Sequence, residues 1–319
     1  MPDATIICVS ANAAMDRRLR VARLSVGEIN RAASAQGFAG GKAAHVAMAA
    51  HAMAAKTVWI GFLGGATGQE CARQMKELGI QVVAIPTAAE TRVNLEIIEE
   101  SGNVTEILEP GGNPTADERD EFSRACVERI RNEPKGALLV ISGSLPAGVE
   151  PAFYVSLIEA ARAAGARVFI DTSGDALRES SKASPDFVKT NRAEAEALLG
   201  RPLKTRHEAV HAAMAIIENG AGSAAITLGA EGFVWVESKS GPVWTARPPR
   251  LAVISTVGCG DATLGGFACA AVRGIVGEEA LRLAAACGAA NCLAAAPGRI
   301  ALATVESLLP QIEVQRPGR

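Results

Sequence analysis

The chain of 319 residues lacks an excess of charge of either sign: 32 Lys and Arg stand against 34 Asp and Glu, a formal charge of −2. Such a balance provides no general electrostatic pull toward nucleic acid. Disulfide patterning is missing too. Seven cysteines, at 8, 71, 126, 259, 269, 287 and 292, are scattered without a Cys-x-x-Cys pair, which argues against a disulfide scaffold and for reduced thiols. No run is apolar for long enough to span a bilayer, because the Ala-rich stretch 280–296 carries Arg282 and Asn291. The opening run Thr5-Ile6-Ile7-Cys8-Val9 has strand character and lacks the charged and apolar regions of a secretion signal. These absences set the expectation of a cytoplasmic protein with no nucleic-acid partner and no membrane partner. Internal repeats and low-complexity tracts are absent as well, and 315–319 reads as a loose tail.

What is present is an ordinary soluble α/β composition, 49% hydrophobic and 21% charged. Short apolar runs at Thr5–Ser10, Thr57–Phe62, Gln81–Ile85, Ala137–Ser142, Arg167–Asp171, Phe187–Thr190, Ala224–Leu228 and Phe233–Val236 read as strands. Amphipathic stretches at Lys42–Ala54, Gln69–Leu78, Ala116–Arg131, Pro151–Ala164, Ala193–Leu199 and Glu208–Asn219 alternate with them. This alternation predicts a mostly parallel sheet with helices on both faces. Two segments break it. Arg17–Phe38 reads as extended, and Thr91–Glu99 with Val104–Leu108 flank Ser101-Gly102-Asn103, a hairpin signal. Together they predict a small sheet standing off the main body as a lid.

The strongest chemical signal is Ser255-Thr256-Val257-Gly258-Cys259-Gly260-Asp261-Ala262 ahead of a small-residue helical pattern. Glycines let backbone amides converge, and a helix N-terminus favours an anion. A carboxylate there can take a proton from a hydroxyl attacking phosphate. A plain turn with an Asp cap fits these residues equally well taken alone. Gly37–Lys42 is a second glycine cluster, without Walker A spacing. Gly61–Gly68 lacks the dinucleotide-binding register and reads as a packing turn. Asn191 and Glu194 could hold hydrated Mg²⁺, or form a capping box. His207 and His211 read as surface residues.

Taken in order, these pieces resemble the PfkB/ribokinase family of carbohydrate kinases over essentially the whole chain, closest to its phosphosugar branch. The resemblance rests on Ala11–Asp16, Gly40–Ala47, Thr91–Asn94, Thr105–Gly111, Ser142–Gly148, Asp171–Gly174, Lys189–Glu194, Thr227–Gly232 and Thr256–Asp261. It implies one ribokinase-like domain over 1–319, with lid strands drawn from about 12–38 and 90–110. It further implies Asp261 as general base, with amides of Gly258, Cys259 and Gly260 as an anion hole. Lys42 and Arg92 would bind the phosphate already on the sugar. Asn12, Asp16, Gly40, Gly41, His45, Asn94 and Ser142 would complete the sugar site. Lys189, Asn191, Thr227, Gly229, Gly232 and Asn291 would bind ATP, and Asn191 with Glu194 would orient Mg²⁺ through water. The implied reaction is ATP-dependent phosphorylation of fructose 1-phosphate or tagatose 6-phosphate, in a homodimer joined through the lid.

His45 stands where the branch usually has Asn, and Ala43 where it has Gly. Two alternatives therefore stay open: a kinase of an unphosphorylated sugar or nucleoside, and a non-catalytic sugar-phosphate-binding regulator.

Overall fold

The computed structural model describes residues 4–317. Its strands are β1 Thr5–Ser10, β2 Ala14–Val21, β3 Ser34–Gly40, β4 Thr57–Leu63, β5 Gln81–Pro86, β6 Arg92–Glu99, β7 Val104–Leu108, β8 Ala137–Ser142, β9 Arg167–Asp171, β10 Phe187–Asn191, β11 Ala224–Thr227, β12 Phe233–Val236, β13 Val243–Arg247 and β14 Glu313–Gln315. Its α-helices are α1 Lys42–Ala52, α2 Gly65–Glu77, α3 Ala116–Arg131, α4 Ala152–Ala163, α5 Gly174–Lys182, α6 Arg192–Leu199, α7 Arg206–Glu218, α8 Cys259–Arg273, α9 Gly277–Cys292 and α10 Leu302–Leu308.

Ten strands form one sheet in the order β14-β13-β12-β11-β10-β9-β8-β1-β4-β5. From β11 to β5 all neighbours are parallel, and β12 to β14 add an antiparallel edge. The twofold period of a strand explains the two cores. Ile6, Cys8, Leu138 and Val140 face α1, α8 and α9, whereas Ile7, Val9, Leu139 and Ile141 face α3, α4 and α7. Both faces are covered, so the strands are apolar on both sides, as parallel sheets require. The Gly61–Gly68 turn is a packing device, since a Cβ on Gly64 would meet the Ala89 carbonyl at 1.8 Å.

A second, four-stranded sheet runs β3-β2-β6-β7. The extended segment 17–38 supplies β2 and β3, and the Ser101-Gly102-Asn103 turn joins β6 to β7 with Gly102 at φ 88°. Strand β7 is exposed along its whole length. At the other end of the chain, Gln315, expected in a loose tail, belongs to strand β14. Gln315 pairs with Thr245 at the sheet edge, while 318–319 lie outside the described residues.

Candidate active site

The carboxyl ends of the parallel strands converge, where open α/β sheets hold ligands. Ser142 lies beside Asp171 in register, and Asn191 beside Thr227. Above them α8 begins. Gly258 caps it at φ 80°, a conformation that disfavours side chains. A Cβ on Gly260 would approach Lys189 Nζ to 2.9 Å, so glycine there lets the lysine sit under the first helical turn. The N–H groups of Gly260 and Asp261 fall in that turn, where no intrahelical carbonyl reaches them. The Cys259 N–H differs from expectation: it closes a tight turn onto the Thr256 carbonyl at 3.2 Å. Cys259 is therefore less available as an anion donor than its two glycine neighbours.

Asp261 is buried and does not stand alone. His45 Nδ1 lies 2.8 Å from Asp261 Oδ2, and its Nε2 lies 2.8 Å from Asp16 Oδ2. The second contact is off the N–H axis, an ion pair rather than an aligned hydrogen bond. Burial works to lower the imidazole pKa, but both carboxylates outweigh it and push it up to about 10. The ring thus carries both protons at neutral pH and donates to Asp261. Burial works upward on Asp16, yet His45, Asn94 Nδ2 at 2.9 Å and the Gly41 N–H at 3.4 Å hold its carboxyl below the ordinary range. Gly40 is required here, because a Cβ would land 2.2 Å from the Asp16 carboxyl carbon. His45, expected in the sugar site, is enclosed between the two aspartates.

Lys42 is also placed differently from the expectation that pairs it with Arg92. Its Nζ lies 3.3 Å from Asp171 Oδ1 and 3.0 Å from Glu194 Oε1. Lys189 Nζ takes the other Asp171 oxygen at 2.5 Å. Burial pushes the Asp171 carboxyl up, but the two lysines overcome it and hold it below its ordinary value. The Lys42 ammonium is correspondingly raised, against its own burial. Asp171 opens the Asp171–Gly174 stretch of the family resemblance, which gives it no role of its own. A carboxylate closing an apolar strand was its one signal.

Asn191 and Glu194 form a reciprocal capping box: Asn191 Oδ1 accepts the Glu194 N–H at 2.9 Å, and Glu194 Oε2 accepts the Asn191 N–H at 3.0 Å. Among the described residues, no cluster of three or more His, Cys, Asp or Glu can hold a metal. The two Glu194 oxygens and Asn191 Oδ1 are already held by protein donors, Oε1 by Lys42 and the others by the capping box. A water of a hydrated ion does fit Glu194 Oε1, since Mg²⁺ keeps several waters and takes its other oxygens from phosphates.

Beside α8 opens a cleft of about 780 Å³. Asn191, Thr227, Gly229, Gly232, Cys259 and Gly260 all line it, as do Arg192, Arg247 and Arg250, which the sequence reading missed. Arg192 opens α6, Arg247 closes β13 and Arg250 follows it in a loop, and single residues at element ends have no sequence period to mark them. Asn291 does not line this cleft. It is buried, donates from Nδ2 to the Val257 carbonyl at 2.7 Å and accepts the Gly298 N–H at 2.7 Å, bracing the loop before α8. Ala285, Gly288, Ala289 and Cys292 are the α9 residues that face the cleft.

On the opposite side, Arg92 donates to the carbonyls of Glu109 at 2.7 Å and Asn12 at 3.2 Å. Asn12 Nδ2 in turn bonds the Pro110 carbonyl and Ser144 Oγ, each at 3.2 Å. Two buried polar atoms, Asn94 Oδ1 and Ser142 Oγ, have no partner within the protein. The second sheet is tied to the loop before α8 by Ser255 Oγ, which donates to Glu96 at 2.8 Å, while Arg18 of β2 pairs with the same carboxylate within the sheet at 2.6 Å.

One carboxylate at a helix start thus lies between a wide cleft flanked by arginines and a polar enclosure under a second sheet. Such an arrangement suits phosphoryl transfer, which needs positioning, charge neutralisation and a proton acceptor. The comparisons name the class: a family model described as pfkB family carbohydrate kinase matches residues 4–301, and the chain belongs to that family. It is a carbohydrate kinase. Among its relatives, the 1-phosphofructokinase of Xanthomonas campestris is 35% identical over 286 residues, covering 88% of each chain. The 1-phosphofructokinase of Vibrio cholerae is 30% identical over 285 residues, covering 89% of this chain and 88% of its own. The crystal structure of phosphofructokinase-2 from Escherichia coli in complex with fructose-6-phosphate superposes with a TM-score of 0.87 at 26% identity. That superposition covers 97% of this chain and 99% of that one.

Proposed function

We propose that this chain transfers the γ-phosphoryl group of ATP to a hydroxyl of a phosphorylated ketohexose, with fructose 1-phosphate as the leading substrate. The relatives named 1-phosphofructokinase support the substrate class. The single observation that carries the reading is the position of Asp261, between the nucleotide-sized cleft and the Asp16–Asn94 enclosure, with free amides on its own helix turn.

In this reading His45 holds Asp261 Oδ2, which leaves Oδ1 to accept the proton of the attacking hydroxyl. The N–H groups of Gly258, Gly260 and Asp261, with Lys189 below them, stabilise charge on the moving phosphoryl group. Asp16 orients sugar hydroxyls, and Arg92 takes the sugar's own phosphate on the guanidinium donors that the two carbonyls leave free. Thr227, Gly229 and Gly232 border the nucleotide, whose phosphates bring hydrated Mg²⁺ against Glu194. The second sheet acts as the lid, and a second copy of the chain covers the exposed edge strand β7, where Ile107 is 53% and Leu108 59% exposed.

The test is ADP formation by the wild-type chain and Asp261→Asn against fructose 1-phosphate, tagatose 6-phosphate, fructose 6-phosphate, fructose and ribose. Loss of the base lowers turnover roughly 10²–10⁴-fold while nucleotide binding stays. Undiminished turnover removes Asp261 from the mechanism. A kinase of an unphosphorylated sugar is the second reading, favoured by one fact: Lys42 is occupied by Asp171 and Glu194, so Arg92 is left to meet a sugar phosphate without it. Preference for the neutral sugars decides for that reading.

A further inference from the structure

Five of the seven cysteines, Cys8, Cys71, Cys126, Cys269 and Cys287, are fully buried in the two cores. Only Cys259 and Cys292 are partly open, and these two touch: Sγ lies 3.1 Å from Sγ. They come from residues 33 apart in sequence, the first residue of α8 and the last of α9. Both line the cleft assigned above to the nucleotide. A solute in that cleft can therefore reach the two thiols, and it reaches no other thiol of the described residues that is not buried.

We propose that Cys259 and Cys292 form a peroxide-sensitive dithiol, whose oxidation to a disulfide locks the start of α8 to the end of α9 and closes the nucleotide side of the site. The surroundings suit the chemistry. The positive end of α8, which begins at Cys259, lies against the Cys292 sulfur 3.1 Å away and favours a thiolate there. With Cys259 as donor, the hydrogen bond between the sulfurs lowers the Cys292 thiol below its ordinary value and raises the Cys259 thiol, so the pair gives up one proton readily and keeps the other.

The oxidant is hydrogen peroxide, or another peroxide of that class. One thiolate attacks a peroxide oxygen, the O–O bond breaks, and a sulfenic acid and hydroxide form. The neighbouring thiol then attacks the sulfenic sulfur, the S–O bond breaks, and a disulfide and water result. In sum two thiols lose two hydrogens and one peroxide becomes two waters. The sulfurs must approach by about 1 Å to reach the covalent distance of about 2.05 Å. That pull falls on a residue flanked by Gly258 and Gly260. Displacing aligned groups by about 1 Å can lower a rate about 10²-fold. A dithiol reductant reverses the change.

The effect on turnover rests on the kinase reading; the formation of the disulfide does not. The test uses the reduced full-length chain, treated with hydrogen peroxide and then alkylated, digested and weighed. A linked peptide joining positions 259 and 292, two hydrogens lighter, with the other five thiols alkylated, is the expected product. Sugar-phosphate-dependent ADP formation falls about 10²-fold and returns with dithiothreitol. Cys292→Ser, compared only with its own untreated sample, loses this sensitivity. Absence of the linked peptide, separate sulfinic acids on the two residues, or a linked protein with undiminished turnover each overturns the proposal. If the reduced protein has no turnover at all, the kinase reading fails. The peptide and the ATP affinity of the two redox states then decide the dithiol independently.

Discussion

Replacing His45 by Asn should change the pH dependence of stability. His45 is only 4% exposed, and each ring nitrogen lies 2.8 Å from a carboxylate. Its folded pKa of about 10 stands above the ordinary 6.5. The native state therefore holds one more proton than the unfolded chain between those values. The stabilisation is complete below pH 6.5 and is lost as pH rises through 10. At about 1.4 kcal/mol per pH unit, going from pH 7 to pH 9 removes about 2–3 kcal/mol from the wild type. His45→Asn has no such proton to lose. It is instead less stable at pH 7, by roughly 3–5 kcal/mol, because two buried carboxylates lose their counter-charge. Urea unfolding of both proteins at pH 7, 8 and 9 measures the two effects together, and groups untouched by the substitution cancel in the difference. Wild type and variant should converge as pH rises. Curves that run parallel from pH 7 to pH 9 would refute a charged imidazole between Asp16 and Asp261.

Lys189→Met leaves Asp171, which is fully buried, with only Lys42 beside it; thermal unfolding should show a loss of roughly 3–5 kcal/mol. Gly40→Ala drives a methyl into the Asp16 carboxylate, so steady-state kinetics should show a raised sugar KM with nucleotide KM little changed. Arg92→Gln should raise KM for a sugar phosphate about tenfold or more, since charge-assisted bonds contribute roughly 1.5–3 kcal/mol, and leave neutral sugars unaffected. Ile107→Asp on the exposed edge strand should shift sedimentation toward the monomer if a second copy packs there; an unchanged distribution assigns the dimer to another surface.

Much of the fold could be read in advance from local pattern. The runs 5–10, 137–142, 167–171 and 233–236 are strands with the expected bounds, and Ala116–Arg131 is a helix with the expected bounds. The gaps have physical causes. Helix α5 buries Ala176, Leu177, Ser180 and Ser181, so half its core face is serine and its apolar stripe is too thin to see. Strand β13 is short and ends in Arg247, and β14 spans three residues; both depend on pairing with a neighbour already in place.

Candidate residues were legible where glycine or a capping pattern marks them. Gly258, Gly260, Gly40 and the Asn191–Glu194 box announce a backbone geometry that local sterics enforce. Partnerships were not legible. His45 meets Asp261 across 216 residues, Lys42 meets Asp171 across 129 and Glu194 across 152, and the sulfurs of Cys259 and Cys292 meet across 33. Backbone preferences and apolar periodicity act over one turn or one strand, so they are written in short windows of residues. A charge's partner depends on which strand ends the sheet order brings together, and in a buried site that partner sets whether a lysine meets phosphate or carboxylate. Here it sent Lys42 to the carboxylates and put a histidine between two aspartates.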